Sequence, residues 1–443
     1  MPATKKLILV VIDGLTPEVF EDAVETGSAP ALAFLAAHGQ YGRGVSTFPS
    51  LTPVCLSSIA TGAHPDVHHI PHLVWYNRAE KRVVEYGSSF AAIRAAGTKR
   101  SILDAIFNMN EQHLGRDAVT MYEALEDEGL TAAAVNVTCY RGRTPHRPLL
   151  PGATRPAYGP KRFFFYNLFE SDVTGAPVAV FGRSGGSIDA YAAAVGRWLV
   201  TRDGFDFLFY YLPDYDFASH ALGPAATQEA LARSDAAVGA LIEAAGGPDE
   251  FLERYAVIVC SDHGQTQVER VAWLQASFAG LDNVVVTASN RAGMVYGDDP
   301  AALARRLDGS PAAHVVLYRE DDEAVARRDG EELRFRPVTA GWETSGDGSL
   351  LDHPDAFERA WCALANPNAG ELIVSPPPGV ELVDLAGRSH LGGGSHGSLE
   401  AGDSMVPVLT VGLGDRVPPR IVDVAPLVLE HFGVRARAAH AAA

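Results

Sequence analysis

Short apolar runs that alternate with helical stretches are the feature that most limits the fold of this chain. The runs LILVVI at residues 7–12 and YAVIVCS at residues 255–261 are continuously apolar, as strands buried on both faces of a parallel sheet are. Helical patterns separate them from further runs, such as TAAAVNV at residues 131–137 and DFLFYYL at residues 206–212. This alternation predicts an α/β fold with a mostly parallel central sheet and helices on both faces.

The pattern changes in the last third of the chain. Short β-like runs such as NVVVTAS and GELIVSP are mixed there with two charged helices and a glycine-rich loop. We therefore expect residues 282–386 to form a smaller α+β insertion or cap subdomain. Residues 1–281 and 387–435 would form the catalytic α/β core, and residues 436–443 a frayed tail.

Composition narrows the classes of function. The chain has 443 residues, is 47% hydrophobic and 20% charged, and carries a net charge of −18, which argues against a nucleic-acid-binding surface. The N-terminal apolar run is too short for a signal peptide, and no stretch is long enough to span a membrane. The four cysteines form no CxxC pair, which fits a reducing compartment and excludes a thiolate zinc site built from local spacing. We expect a cytoplasmic protein with no membrane contact.

Acidic and imidazole side chains follow the predicted strands at four places. They are Asp13, the pair Asp216 and His220, the adjacent pair Asp262 and His263, and a histidine in a glycine-rich loop, His396. Because a parallel sheet brings the carboxyl ends of its strands to one edge, we expect three carboxylates and three imidazoles to converge. Mixed oxygen and nitrogen ligands suit Zn²⁺, or less often Mn²⁺, and six ligands suit two ions roughly 4 Å apart.

At this point the chain resembles a known family. The DxxxH spacing at residues 216–220, SDHG at residues 261–264 and GSHG at residues 394–397, in that order, are similar to the alkaline phosphatase superfamily. The best match is its nucleotide pyrophosphatase/phosphodiesterase branch, over nearly the whole chain. The resemblance implies two zinc ions. Asp216, His220 and His396 would hold one, and Asp13, Asp262 and His263 the other.

The resemblance also implies a hydroxyl nucleophile that contacts the second zinc. In the family it stands nine residues before the threonine of a TG pair, and counting back from Thr61 gives Thr52. Thr52 precedes Pro53 at a predicted helix start, where it is a plausible N-cap and where the helix dipole favours anions. The rival is Thr47, because TFP at residues 47–49 matches the nucleophile-bearing string of some branch members.

One position departs from the family pattern. The resemblance implies a phosphate-binding Asn about 21 residues after the nucleophile, and this chain has Leu73 there. We expect the contact to come from elsewhere, and the candidates are His72, Asn77, Tyr140, Arg141 and Arg143.

The favoured function is a two-metal hydrolase that cleaves phosphodiester or pyrophosphate bonds through a covalent phosphothreonine. Its substrate would be a small-molecule phosphoester, nucleotides included. The alternatives on the same site are a phosphonoacetate-type C–P hydrolase and a phosphomonoesterase. A relative without activity that binds nucleotides or a protein partner is the alternative of another class. The sequence does not indicate an oligomeric state.

Overall fold

The computed structural model of the chain describes residues 4–149, 155–166, 168–171 and 187–435. Within these ranges the strands are β1 (Lys6–Ile12), β2 (Gln40–Val45), β3 (Val74–Asn77), β4 (Arg82–Glu85), β5 (Ala132–Val135), β6 (Thr144–His146), β7 (Ala157–Gly159), β8 (Arg162–Phe165), β9 (Phe169–Ser171), β10 (Phe207–Leu212), β11 (Tyr255–Cys260), β12 (Thr266–Gln267), β13 (Arg270–Ala272), β14 (Val285–Ser289), β15 (Ala292–Tyr296), β16 (Val315–Glu320), β17 (Glu323–Arg328), β18 (Glu331–Val338), β19 (Gly341–Gly346), β20 (Leu372–Ser375), β21 (Val380–Leu382), β22 (Gly394–Ser395) and β23 (Met405–Val411).

The α-helices in the same ranges are α1 (Pro17–Thr26), α2 (Pro30–Ala37), α3 (Thr52–Thr61), α4 (Pro65–His68), α5 (Phe90–Ala96), α6 (Thr98–Leu103), α7 (Met121–Asp127), α8 (Ile188–Thr201), α9 (Asp214–Leu222), α10 (Gln228–Ala244), α11 (Pro248–Arg254), α12 (Pro300–Arg305), α13 (Ala356–Leu364), α14 (Ala401–Ser404) and α15 (Val424–His431). A π-helical segment covers Asp104–His113, and short 3-10 helices cover Pro224–Ala226, Leu274–Phe278, Gly348–Leu351 and Ile421–Asp423.

The large sheet has the strand order β2-β23-β11-β1-β10-β5-β8-β9. Its centre, from β11 to β8, is parallel throughout. β23 and β2 extend one side as antiparallel strands, and β9 closes the other side antiparallel to β8. The predicted α/β class and mostly parallel centre are therefore confirmed.

Both faces of this sheet are covered by helices. Leu7, Leu9 and Val11 of β1 pack in one hydrophobic cluster with residues of α3, α7 and α15. Ile8, Val10 and Ile12 point the other way, into a second cluster with residues of α1, α2, α8 and α10. Because successive side chains of a strand alternate between faces, the fully apolar run of β1 serves both clusters.

A second, antiparallel sheet of seven strands lies between Val285 and Ser375, in the order β14-β15-β20-β16-β17-β18-β19. Two further hydrophobic clusters flank it. Phe48 and Leu399, which belong to the segments around the large sheet, pack in one of these clusters and join the two sheets.

Two details differ from the sequence-based expectation. The stretch from Thr16 to Ala37 is not one helix, because Gly27 adopts a left-handed conformation (φ 70°) that ends α1, and Pro30 starts α2. The tail at residues 436–443 lies outside the described residues. In the described ranges, no helix is both long and apolar enough to cross a membrane.

Candidate functional site

Five of the six predicted ligand residues follow the parallel strands at their carboxyl ends. Asp13 comes directly after β1, and Asp262 and His263 come after β11. Asp216 and His220 lie in α9, the helix that follows β10. Since β10, β1 and β11 are neighbours, the three segments meet at one point of the sheet edge.

His396 reaches the same point by another path. It follows β22, which pairs antiparallel with β12, and it precedes β23. The expectation that it follows a core strand was wrong. Because β23 runs antiparallel to β11, its beginning lies at the edge where the parallel strands end.

Two groups of possible metal ligands share His263. One ligand atom each from Asp13, Asp262 and His263 lie within 4.8 Å of one another, and so do those of Asp216, His263 and His396. His263 Nε2 is 3.3 Å from Asp13 Oδ1 and 3.5 Å from Asp262 Oδ2. The rings of His263 and His396 stack with centroids 3.6 Å apart.

Asp216 joins the remaining imidazole to this cluster. His220 Nε2 is 3.2 Å from Asp216 Oδ2, and His396 Nε2 is 3.7 Å from Asp216 Oδ1. The structure thus brings all six predicted ligand residues together. It places His263 between the two groups, whereas the resemblance assigned it to one of them.

The backbone fixes the tautomer of each imidazole. In His220, Nδ1 lies 2.8 Å from the carbonyl oxygen of Gly394. In His263, Nδ1 lies 3.1 Å from the carbonyl oxygen of Gly264. In His396, Nδ1 lies 2.8 Å from the carbonyl oxygen of Ser50. A carbonyl oxygen only accepts, so each Nδ1 carries the proton and donates it. In the neutral form of each ring, Nε2 then keeps a lone pair that faces the cluster, as metal ligation requires.

The carboxylates also fit a metal site. Asp13 Oδ1 and Asp262 Oδ2 are buried without a hydrogen-bond partner. Burial, followed by repulsion from Asp216 and Asp262, raises the pKa of Asp13 well above its ordinary value. Burial likewise raises the pKa of Asp262. Unpartnered buried carboxylates are costly, and a divalent cation is the group that satisfies them.

The Asp216–His220 pair behaves differently. Burial alone would raise the pKa of Asp216, but attraction to His220 and a hydrogen bond with it outweigh burial and lower it. Burial disfavours the charged form of His220, yet Asp216 raises its pKa to about 8.

Thr52 stands beside the cluster. Its Oγ1 lies 3.1 Å from Nε2 of His263, at the first residue of α3. The N-cap of α3 is Leu51, so the prediction that Thr52 itself caps the helix was wrong. The positive end of the helix dipole still lies at Thr52, where it favours anionic oxygen.

A cavity of about 390 Å³ opens over Thr52 and the cluster. Its apolar wall consists of Leu73, Tyr86, Ile106, Met109, Phe165, Tyr166 and Phe217. Among the described residues, its lining contains no Lys or Arg. An adjoining cavity of about 420 Å³ shares Ser88, Asn290 and His390 with it and adds Arg94 and Arg388.

The sequence analysis did not single out two residues that hydrogen-bond the candidate ligands. Tyr211 donates its hydroxyl hydrogen to Asp13, from inside an apolar strand where it reads as a core residue. Gln265 donates to Asp216 and accepts from the Ser219 hydroxyl at 2.8 Å. Its position directly after SDHG was the signal available for Gln265.

The five predicted substrate contacts are not part of the cavity lining. His72 is fully buried, and its Nδ1 accepts from the Val74 N–H. Asn77 lies in the β3–β4 hairpin and bonds Glu80. These two side chains serve local structure.

The other three belong to packing and to ion pairs. Tyr140 is buried in an aromatic cluster with Phe163. Arg141 donates to the carbonyl oxygens of Leu114, Gly115 and Ala118, while Arg143 pairs with Asp127 at the surface. The two guanidinium groups that the sequence suggested for anion binding are therefore engaged with other parts of the protein.

With the geometry in place, comparison with protein families gives a direct result. The family described as type I phosphodiesterase/nucleotide pyrophosphatase matches residues 7–399. The chain belongs to this family. The match covers most of the chain and confirms the resemblance inferred from the motifs. No match is found among curated proteins.

Solved structures with the same fold include two relevant proteins. Murine ectonucleotide pyrophosphatase/phosphodiesterase 5 has a TM-score of 0.64 at 14% identity, covering 98% of this chain and 96% of that one. An inactive variant of it in complex with AMP has a TM-score of 0.63. Phosphonoacetate hydrolase from Sinorhizobium meliloti, in complex with phosphonoformate, has a TM-score of 0.64 at 18% identity, covering 97% and 96%. These likenesses establish the fold of this family member.

Proposed function

We propose that this chain is a two-metal phosphodiesterase that uses Thr52 as its nucleophile. The observation that carries the proposal is the contact between Thr52 Oγ1 and His263 Nε2, at the centre of six converging ligand side chains. We propose Asp216, His220 and His396 as ligands of one Zn²⁺, and Asp13, Asp262 and His263 as ligands of the other, with Mn²⁺ as the other candidate metal. Such ions lower the pKa of a hydroxyl and neutralise phosphate oxygens when bound.

The reaction would run in two displacements. The Thr52 hydroxyl gives up its proton to solvent as its oxygen attacks phosphorus, the bond to the leaving alcohol breaks, and that alcohol takes up a proton from solvent. Water then attacks the phosphothreonine, which releases a phosphomonoester and returns the Thr52 hydroxyl. The start of α3 favours the anionic oxygen at Thr52 in both steps.

The lining of the cavity favours a phosphodiester over phosphonoacetate or a pyrophosphate as the substrate. Next to Thr52, the ester group of a diester would meet Leu73, Ile106 and Met109. Phosphonoacetate carries a carboxylate two bonds from phosphorus, and a pyrophosphate carries a second phosphate there. Neither anion would find a Lys or Arg among the described residues that line this cavity. A small phosphodiester with an apolar or aromatic ester group is therefore the proposed substrate, and pyrophosphate bonds rank second.

A side-by-side assay tests this function. The zinc-loaded protein is offered bis-p-nitrophenyl phosphate, p-nitrophenyl phosphate, phosphonoacetate and a dinucleotide, and kcat/KM is compared. The diester should give the highest value. A higher value for phosphonoacetate or for the monoester would replace the proposal by that activity. No turnover at saturating metal would favour the inactive, ligand-binding relative.

A further inference from the structure

A third group of possible metal ligands lies away from the catalytic cluster, between α4 and α13. His64, Glu358 and Cys362 each offer one ligand atom, and the three atoms lie within 4.8 Å of one another. Glu358 and Cys362 are four residues apart, so they share one face of α13. His64 directly precedes α4, and the two helices contact each other.

Two polar atoms, one in this group and one in α4 beside it, are buried without a hydrogen-bond partner. They are Nδ1 of His64 and Oδ1 of Asp66. His64 occupies the N-cap position of α4, but its side chain accepts no helix N–H. Each buried polar atom without a hydrogen-bond partner destabilises the fold by about 1–3 kcal/mol. A bound cation that contacts both atoms would offset this loss of stability.

The charges of the group also call for a cation. The thiol of Cys362 donates to Glu358 Oε1 at 3.8 Å, and burial, followed by the negative charges of Asp66 and Glu358, raises the pKa of this thiol far above its ordinary value. Burial, followed by repulsion from Arg420 and Arg359, lowers the pKa of His64 to about 4. The imidazole is therefore neutral at physiological pH and able to act as a ligand.

The nearby arginines are committed to other groups. Arg359 donates to the Pro354 carbonyl oxygen at 2.9 Å and to the Ser50 hydroxyl at 3.0 Å. Arg420 forms an ion pair with Asp355 at 2.7 Å. Their charges keep His64 neutral without occupying the carboxylates beside Cys362.

We propose that His64, Glu358 and Cys362, with Asp66 as the fourth ligand, form a structural zinc site. A set of one imidazole, one thiolate and two carboxylates suits tetrahedral Zn²⁺, whose ligand atoms lie about 3.5 Å apart. Binding would have to bring the three atoms, which lie within 4.8 Å of one another, and an oxygen of Asp66 to that spacing by side-chain rotation. Cys362 would lose its proton to solvent on binding, and Zn²⁺ would neutralise the thiolate and the carboxylates.

The site would connect two parts of the fold. α4 follows α3, which carries Thr52, whereas α13 lies between β19 and β20 of the second sheet. An ion held by both helices would fix the second sheet against the large one. The expected effect is on the stability of the protein, with little effect on turnover.

Cobalt substitution tests the proposal with a readout independent of activity. A cysteine ligand gives Co²⁺ a near-ultraviolet charge-transfer band, and none of the six catalytic ligand candidates is a cysteine. The Co²⁺-loaded wild type should show this band, Cys362→Ser should lose it, and Cys139→Ser, a matched change at another buried cysteine, should keep it. Zinc analysis should show about one ion fewer per chain in Cys362→Ser, with kcat/KM unchanged.

Further variants separate this site from the catalytic one. Glu358→Gln changes a partly exposed position of α13, so we expect it to fold and to weaken Co²⁺ binding at the thiolate. Asp262→Asn should leave the thiolate band intact, even if the catalytic proposal fails. A wild-type protein without the band, or a band that survives Cys362→Ser, would overturn the site.

Discussion

The hydroxyl of Thr52 lies 3.1 Å from Nε2 of His263, the imidazole that belongs to both groups of possible metal ligands around it. This contact joins the start of α3 to the carboxyl edge of the large sheet. It places one hydroxyl, out of the many in the segment between β2 and β3, beside the converging carboxylates.

Thr52→Ala should lower kcat by at least about 10³-fold while metal content stays at that of the wild type, because the attacking oxygen is gone and the ligands remain. Steady-state kinetics and metal analysis on one preparation check this. Thr61→Ala is the matched control, since that hydroxyl bonds the Ser57 carbonyl oxygen in the last turn of the same helix. Thr47 is buried outside the cavity lining, so loss of turnover in Thr47→Ala instead would move the nucleophile there.

Asp262→Asn should release metal as well as abolish turnover. Asp262 Oδ2 is buried without a partner. The amide of asparagine carries no charge and so cannot replace a carboxylate as a ligand of a divalent cation. Metal analysis after dialysis should give about one ion fewer per chain than in the wild type. Asp206→Asn is the control, because Asp206 accepts the Thr131 N–H near the beginning of β10, remote from the ligands. Unchanged metal content in Asp262→Asn would refute the ligand assignment.

Gln265→Leu should weaken metal binding by about 10–100-fold, because Asp216 loses the amide that orients it. Competition with a chelator measures the affinity. The control is Gln267→Leu, two residues on, where the exposed amide donates to the Gly392 carbonyl oxygen. Equal affinities in the two variants would mean that Gln265 does not position Asp216.

Leu73→Lys should shift substrate preference toward compounds with a second negative charge near phosphorus. The lysine would put a cation into a cavity wall that is apolar in the wild type. We expect the ratio of kcat/KM for phosphonoacetate to that for a diester to rise by about 10-fold. Leu73→Met keeps volume and polarity and should leave the ratio unchanged. An unaltered ratio in the lysine variant would show that this wall does not select the substrate.

Glu85 should make stability depend on pH. Burial raises its pKa from 4.5 to about 7, although the carboxylate accepts bonds from Gly87 and Ser88. The folded protein therefore holds this proton more tightly than the unfolded chain does, and the free energy of unfolding falls as pH rises from about 4.5 to about 7. Glu85→Gln removes this loss. The free energy of unfolding of the variant, relative to that of the wild type, should therefore rise by up to about 3 kcal/mol from about pH 5 to about pH 8.

Urea unfolding at both pH values measures the gain in Glu85→Gln. Glu250→Gln, at an exposed position, is the control and should follow the wild type at both pH values. A constant difference between Glu85→Gln and the wild type across this range would contradict the raised pKa.

The convergence of the six candidate ligands could be predicted because their signals are local. Asp13 and Asp262 each follow a continuous apolar run, and the geometry of a parallel sheet then brings them together. The sequence predicted that His396 would join the cluster, but not which strand would bring it there. The pairing of β12 with β22 is only two residues long, and so short a segment has little recognisable sequence pattern.

The substrate contacts could not be predicted for a different reason. An arginine in a loop looks the same in sequence whether it faces a ligand or a backbone carbonyl. Arg141 is held by carbonyl oxygens more than twenty residues away in the chain, and no local pattern encodes those partners. Tyr211 was hidden in the same way, as one aromatic residue in the buried strand β10.

The order in which the ligands occur along the chain has a consequence for biosynthesis. Asp13 ends the first strand, whereas His396 lies beyond the entire second sheet. A nascent chain therefore carries five of the six candidate ligands before the second sheet is translated and gains His396 only after it, and the long-range contacts that unite them form slowly. The proposed metal site is complete only when all six side chains are in place, so we expect zinc uptake during refolding to trail the recovery of helical circular dichroism.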